Sequence, residues 1–263
     1  MSELHAAIFT SRHPSVISRS LKRLRRCGWI TTWDEPSPGG GGNRRWAVPT
    51  ARSLRWTSAT LRASCAGQSW ERVADLMLPG SRNHELKFTR GRTPPFLMHQ
   101  RDVNRLCLSF RATLEKRLLW FSAFDRPFPN RVNGIAMPQP DFVLVVAGDR
   151  GPELVFGEHD RGSESLAHFR EAKVERYAEL ASLPSFCRDI LGFATFRVLV
   201  TVMDPFNRRP HDRIAMLGEL VSAARRAELF AIHLAGKVHA HPGVVCEHSH
   251  VAHDSVLTPT LSP

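Results

Sequence analysis

Residues 141–160 read DFVLVVAGDRGPELVFGEHD, and they restrict the fold more than any other stretch of the chain. Asp141 to Val146 is an apolar run, too short for a buried helix and rich in β-branched residues, so it reads as a buried strand. Gly148 to Gly151 is a hairpin turn, and Glu153 to Glu158 is the return strand. Asp141, behind Pro140, starts the first strand, while Glu158 and Asp160 stand at the end of the second. Antiparallel neighbours bring the start of one strand beside the end of the other. The three carboxylates are therefore expected at one rim of a sheet.

The surrounding pattern says what covers that sheet. His99 to Leu119 places Val103, Leu106, Cys107, Phe110, Leu114 and Leu118 on one stripe and reads as a helix. Trp120 to Phe124 reads as a strand and Pro129 to Pro140 as a loop. After the hairpin, a helix opens at Ser163 or Glu164 and runs to about Ala181. Phe196 to Met203 is a strand, Asp212 to Arg226 a helix, and Glu228 to Leu234 a last strand. Helix, three strands, helix, strand, helix, strand predicts an α/β sandwich around a mixed sheet. It is the element order of the core of restriction-endonuclease-like domains.

Within the helix after the hairpin, Leu166, Phe169, Lys173, Tyr177 and Leu180 share one face, so Lys173 sits on the stripe that meets the sheet. A buried lysine needs an acid or a ligand phosphate beside it, and Glu158 and Asp160 are the candidates. Asp141, Glu158 and Asp160 repel one another unless a cation intervenes, and hard oxygen ligands suit Mg²⁺ or Mn²⁺. Such an ion polarises a phosphodiester and activates water, with Lys173 positioning water or stabilising developing charge. The plainer alternatives are acids that act as caps or surface charges, a lysine that snorkels to water, and a purely structural Glu–Lys pair.

The first 60 residues carry ten Lys or Arg against three acids, most of the chain's net charge of +11. Such an excess points to an anionic partner, nucleic acid foremost. Pro14 suits a first helical turn, Ile17, Leu21 and Leu24 form an apolar stripe, and Gly28 suits a left-handed cap. Ser15, Ser18, Arg19, Lys22, Arg23 and Arg26 lie on the other faces. Trp29 to Trp33 and Arg44 to Val48 read as two strands around a Pro/Gly-rich tip. A basic helix followed by a hairpin with Arg44 and Arg45 near its tip has the layout of a winged helix on double-stranded DNA. A solvated basic helix packed on the second domain is the alternative.

Several of these residues together resemble the replication-relaxation protein family of bacterial plasmids and integrated elements. The pieces are His99-(x4)-Asn104, Pro140-Asp141, the block FGEHDRGSE from Phe156 to Glu164, and Lys173-(x3)-Tyr177. The basic helix and hairpin resemble that family's winged helix. The resemblance implies DNA binding linked to plasmid replication or relaxation, and a nuclease-like core related to the PD-(D/E)xK group. His99, Asn104 and Tyr177 are candidate accessory residues, and a separate alternative is a non-catalytic scaffold that binds a relaxase or replication initiator. One departure is plain: the usual acid-x-Lys reads Glu158-His159-Asp160, so Lys173 is expected to supply the amine from the helix.

The fold class expected is α+β in two domains: an N-terminal winged helix over residues 1–58 and an α/β restriction-endonuclease-like domain with a mixed sheet over 82–236. Residues 59–81 read as a linker, and 237–263 as a disordered tail in which Cys246, His248, His250 and His253 form no closed zinc pattern. Five dispersed cysteines fit a reducing cytoplasm rather than a disulfide framework. No signal peptide is visible, and no apolar run approaches the ~18 residues of a membrane span.

Overall fold

The computed structural model describes residues 14–27, 30–36, 43–49, 65–77, 95–123, 128–203 and 210–240. Helix α1 spans Pro14–Arg26, and strands β1 (Ile30–Pro36) and β2 (Asn43–Pro49) pair antiparallel after it. Both strands run a little further than their apolar cores suggested, because the ladder continues to Pro36 and Asn43. The register sets Arg45 opposite Asp34 and Arg44 opposite Glu35. Leu24, expected on the apolar stripe of α1, is exposed.

Helix α2 (Glu71–Met77) lies in the segment expected as a linker, yet it is built into the core. Val73 and Ala74 are fully buried, and Arg72 Nη1 donates to the carbonyls of Arg188 and Asp189. Helix α3 spans Pro95–Leu114, a 3₁₀ turn Glu115–Arg117 follows, and strand β3 spans Leu118–Ser122. The expected helix ran to Leu119. It stops early because Glu115 adopts a positive φ of 42° and Leu118 is taken into the sheet opposite Val146. The loop expected before Pro140 contains a small antiparallel pair, β4 (Arg131–Val132) and β5 (Ile135–Ala136). Its turn is Asn133-Gly134, with φ of 50° and 82°, which only such residues adopt easily.

Strands β6 (Phe142–Gly148) and β7 (Gly151–Asp160) form the expected hairpin. β7 passes Glu158 and ends at Asp160, since β8 (Arg197–Val202) pairs parallel to it over its last six residues. Between them come helix α4 (Leu166–Phe169), a π-helical turn Arg170–Val174, and helix α5 (Glu175–Ala181). Helix α6 (Pro184–Leu191) is an element the sequence reading passed over, although Pro184 at its start and left-handed Gly192 at its end mark it. Helix α7 spans Pro210–Ser222, a 3₁₀ turn Ala227–Leu229 follows, and β9 (Phe230–Leu234) runs directly into helix α8 (Ala235–Ala240). The boundary drawn at 236 thus cuts through a helix whose Val238 is fully buried, and the rest of the expected tail lies outside the described residues.

The chain is α+β with a mixed five-stranded sheet in order β3-β6-β7-β8-β9. The first three strands are antiparallel neighbours and the last two join in parallel. Alternation divides the side chains between two cores. Val143, Val145, Leu154 and Phe156 face a layer that includes Phe169, Val174, Tyr177 and Leu180 from α4 to α5 and Leu217 from α7. Phe142, Leu144, Val146 and Val155 face Val103, Leu106, Phe110 and Val238 from α3 and α8. The result is three layers, with the carboxylate-bearing strand ends between two sheets of helices.

Gly157 shows how tightly this hairpin is fitted. It lies opposite Phe142, and a Cβ at Gly157 would meet the Phe142 ring at 2.0 Å. The glycine leaves room for the ring to cross the partner strand. Among the described residues no helix is long and apolar enough to cross a membrane.

Candidate functional site

Glu158 points from β7 toward the α4–α5 layer and is almost wholly enclosed, at 2% side-chain exposure. Lys173 Nζ donates to its Oε2 at 2.5 Å, and the Tyr177 hydroxyl donates to its Oε1 at 2.5 Å. Lys173 also donates to the carbonyl of Gln139 at 3.3 Å. The π turn decides this geometry. It carries five residues where an α-turn would place fewer, so Val174 rather than Lys173 fills the core position between Phe169 and Tyr177. Lys173 moves to the edge of the stripe, with 17% of its side chain exposed. Tyr177 is fully buried among Phe156, Phe196 and Phe230, with its hydroxyl alone reaching a polar partner.

Asp141 precedes β6, where its own N–H donates to the carbonyl of Gly157 at 2.8 Å. Its Oδ1 lies 2.8 Å from His99 Nε2, and its Oδ2 accepts the backbone N–H of His159 at 2.7 Å. His99 comes from α3 and Lys173 from the opposite layer, so Asp141 and Glu158 join the two helical layers through one rim. The carboxylate pair expected from the sequence is present, with Lys173, Tyr177 and His99 around it.

Charge follows from burial and these partners. Burial pushes the Glu158 carboxyl up to about 7, against the pull of Lys173. Burial opposes the Lys173 ammonium, but Glu158 and Asp141 outweigh it and hold the group above the usual lysine range. Burial likewise opposes the Asp141 carboxylate, yet the His99 hydrogen bond and Lys173 keep it below its usual value. His99 is raised: burial acts downward, and the Asp141 hydrogen bond and charge prevail.

Asp160 departs from the expected trio. Arg213 of α7 grips it, with Nε 2.6 Å from Oδ2 and Nη2 3.3 Å from Oδ1, while the N–H of Gly162 donates to Oδ1 at 3.0 Å. Arg213 Nη2 also donates to the Glu164 carbonyl at 2.8 Å. From the other layer, Arg161 Nε lies 3.3 Å from Oδ2 of buried Asp102. Asp160 therefore fastens the loop between β7 and α4, rather than extending the Asp141–Glu158 pair. Asn104 also stands apart: it is exposed on α3 and accepts from Gln100 Nε2 at 3.1 Å. Ser15, Arg19, Lys22, Arg23 and Arg26 are exposed on α1, and Ser18 is half-buried. Arg44 and Arg45 fall on β2.

The sequence reading passed over Arg213, Gln139, Thr201 and His159. His159 shares a strand with Glu158 but faces the α3 layer, where its Nδ1 lies 2.9 Å from the Thr201 hydroxyl. That hydroxyl also lies 3.2 Å from the Glu158 carbonyl, and where it donates its proton there, Nδ1 of His159 is the donor in the shorter contact. His159 is neutral: burial and the nearby His99 charge push it down to about 4. Only its position beside Glu158 hinted at this role, and nothing in the sequence linked Arg213 to Asp160.

The carboxylates expected to hold a divalent cation are each engaged by protein donors. All four oxygens of Asp141 and Glu158 already accept hydrogen bonds, one from an ammonium, and the third acid is held by a guanidinium. Among the described residues no group of three His, Cys, Asp or Glu side chains is placed to hold a metal ion. In comparisons with known proteins, no family model, no curated protein and no solved structure matches this chain.

Proposed function

We propose that this chain is a DNA-binding protein of the replication-relaxation kind, and that its α/β domain is nuclease-like in fold but holds DNA rather than cutting it. The observation that carries the binding reading is α1. Its Arg19, Lys22, Arg23, Arg25 and Arg26 are all exposed on one short helix with no acidic residue, directly ahead of an antiparallel hairpin. A helix of this kind inserts into a major groove while its cations meet phosphates. Arg44 and Arg45 lie in register with Glu35 and Asp34, so formal charge at the hairpin cancels and the helix supplies the net attraction.

The nuclease-like reading is supported by the order helix, three-strand meander, helices, parallel strand, with an aspartate before one strand and a glutamate and lysine on the next two elements. The holding role is supported by the closed hydrogen bonding of Asp141 and Glu158. Fluorescence anisotropy with duplex DNA over a salt series tests the first part. Affinity that stays level as salt rises contradicts phosphate-dominated binding. Incubation of supercoiled plasmid with Mg²⁺ or Mn²⁺ tests the second: the plasmid stays supercoiled, and nicking that Glu158→Gln abolishes overturns the holding role.

A further inference from the structure

Asp141 and Glu158 stand at one rim of the domain we read as DNA-holding. Two carboxylates so placed repel a phosphodiester unless something positive stands between. A divalent cation is the usual solution, but here it would compete with an ammonium already seated on the pair. Mg²⁺ needs near-octahedral oxygen ligation at ~2.0–2.1 Å. Here Glu158 is 2% exposed, and its two oxygens already accept from Lys173 and Tyr177. Asp141 accepts from His99 and from the His159 N–H. Of the other acids close in sequence, Asp160 is clasped by Arg213, and Glu164 lies 3.1 Å from His168 Nε2. Lys173 itself is fixed at three points: its bond to Glu158, its bond to the Gln139 carbonyl, and its place in the π turn.

We infer that Lys173 stands in for a divalent cation at the Asp141–Glu158 pair, compensating the acids from within so that a DNA backbone crosses this rim without a bridging metal ion. The inference rests on the DNA-binding reading only in its last clause. Replacing Lys173 by methionine removes the ammonium, so Glu158 Oε2 loses its donor and the two adjacent carboxylates, left uncompensated, attract Mn²⁺ through hard oxygen donors.

The test uses the full chain and Mn²⁺ alone, followed by electron paramagnetic resonance, and then duplex DNA. Wild type and Glu158→Gln are expected to show the same Mn²⁺ signal, whatever other parts of the chain bind. Lys173→Met is expected to gain a saturable Mn²⁺ population that the Lys173→Met/Glu158→Gln double variant lacks, and Lys173→Arg is expected to gain none. Mn²⁺ binding by wild type that Glu158→Gln removes overturns the inference, as does a folded Lys173→Met that gains nothing. Should Lys173→Met fail to fold, the wild-type and Glu158→Gln comparison decides alone. DNA affinity in EDTA is expected to equal that in MgCl₂ at matched ionic strength, and loss in EDTA overturns the final clause. Absence of DNA binding in both buffers overturns the DNA-binding reading instead, and the Mn²⁺ result still decides whether Lys173 replaces the ion.

Discussion

Single side chains carry several of the constraints on this protein. Gly157 is the clearest: a methyl there strikes the Phe142 ring, which is itself fully buried between β6 and α3. Overpacking of this kind costs about 1–3 kcal/mol, so Gly157→Ala is expected to lower the unfolding free energy by that amount, read from a lower denaturant midpoint at unchanged slope. Trimming the ring in the Phe142→Leu background should shrink the penalty, and an unchanged penalty would place its origin in backbone entropy instead. His99 supplies a pH dependence. Its folded pKa lies above the usual 6.5: burial acts downward, and Asp141 outweighs it by favouring the imidazolium. Its contribution is then fully present below 6.5 and is lost as pH rises through the higher folded value. The stability difference between wild type and His99→Gln, measured by urea unfolding, is expected to fall as pH rises above 6.5. A difference that grows with pH would reverse the assigned sign. Which ring nitrogen of His159 carries the proton is read from nitrogen chemical shifts, Nδ1–H being the form expected where Thr201 donates to the Glu158 carbonyl.

At the scale of elements, the loop from Asp160 to Glu164 joins three layers. Arg213 of α7 holds Asp160 and the Glu164 carbonyl, while Asp102 of α3 holds Arg161. Asp160 has 1% and Arg213 11% of its side chain exposed, so the pair is largely removed from water. Taking away one member of a buried pair typically costs ~3–5 kcal/mol, because the other charge stays buried. Asp160→Asn is expected to destabilise by that order in a denaturant titration, and the penalty should shrink in the Arg213→Met background. If Asp160→Asn instead leaves stability intact while removing DNA affinity, Asp160 belongs to a binding site and not to a clasp. The π turn makes a related point. It lets Val174 pack in the core while Lys173 reaches Glu158, two demands that a regular α-helix meets at different angles.

For the whole molecule, the net charge of +11 matters more than any one contact. Binding of duplex DNA releases counterions, and the slope of log affinity against log salt is about −0.9 per phosphate neutralised. Replacing Arg19, Lys22, Arg23 and Arg26 together by alanine is expected to flatten that slope by several units, each lost phosphate contact contributing roughly one. These residues are exposed, so the folded stability of the α/β body should not change with them. A slope that survives the fourfold replacement would move the main DNA contact elsewhere on the chain.

What the linear chain determined by itself are the features set by local pattern. The β6–β7 hairpin follows from an apolar run, a glycine-bounded turn and a second apolar run, and α3 and α7 follow from their apolar spacing. Asp141 and Glu158 came together for the same reason, since antiparallel pairing ties a strand start to its neighbour's end. Lys173 was placed near Glu158 by helical spacing, although its exact seat was not, because hydrophobic periodicity assumes α geometry and contains no signal for a π turn. Tertiary structure alone decided the rest. It extended β7 by pairing it with β8, built α2 into the core, and gave Asp160 to an arginine 53 residues away. It also closed every oxygen of the carboxylate pair with a donor from a different element. Partner choice over such distances depends on which layers meet at the rim, and that geometry exists only once the sheet and both helical layers have assembled.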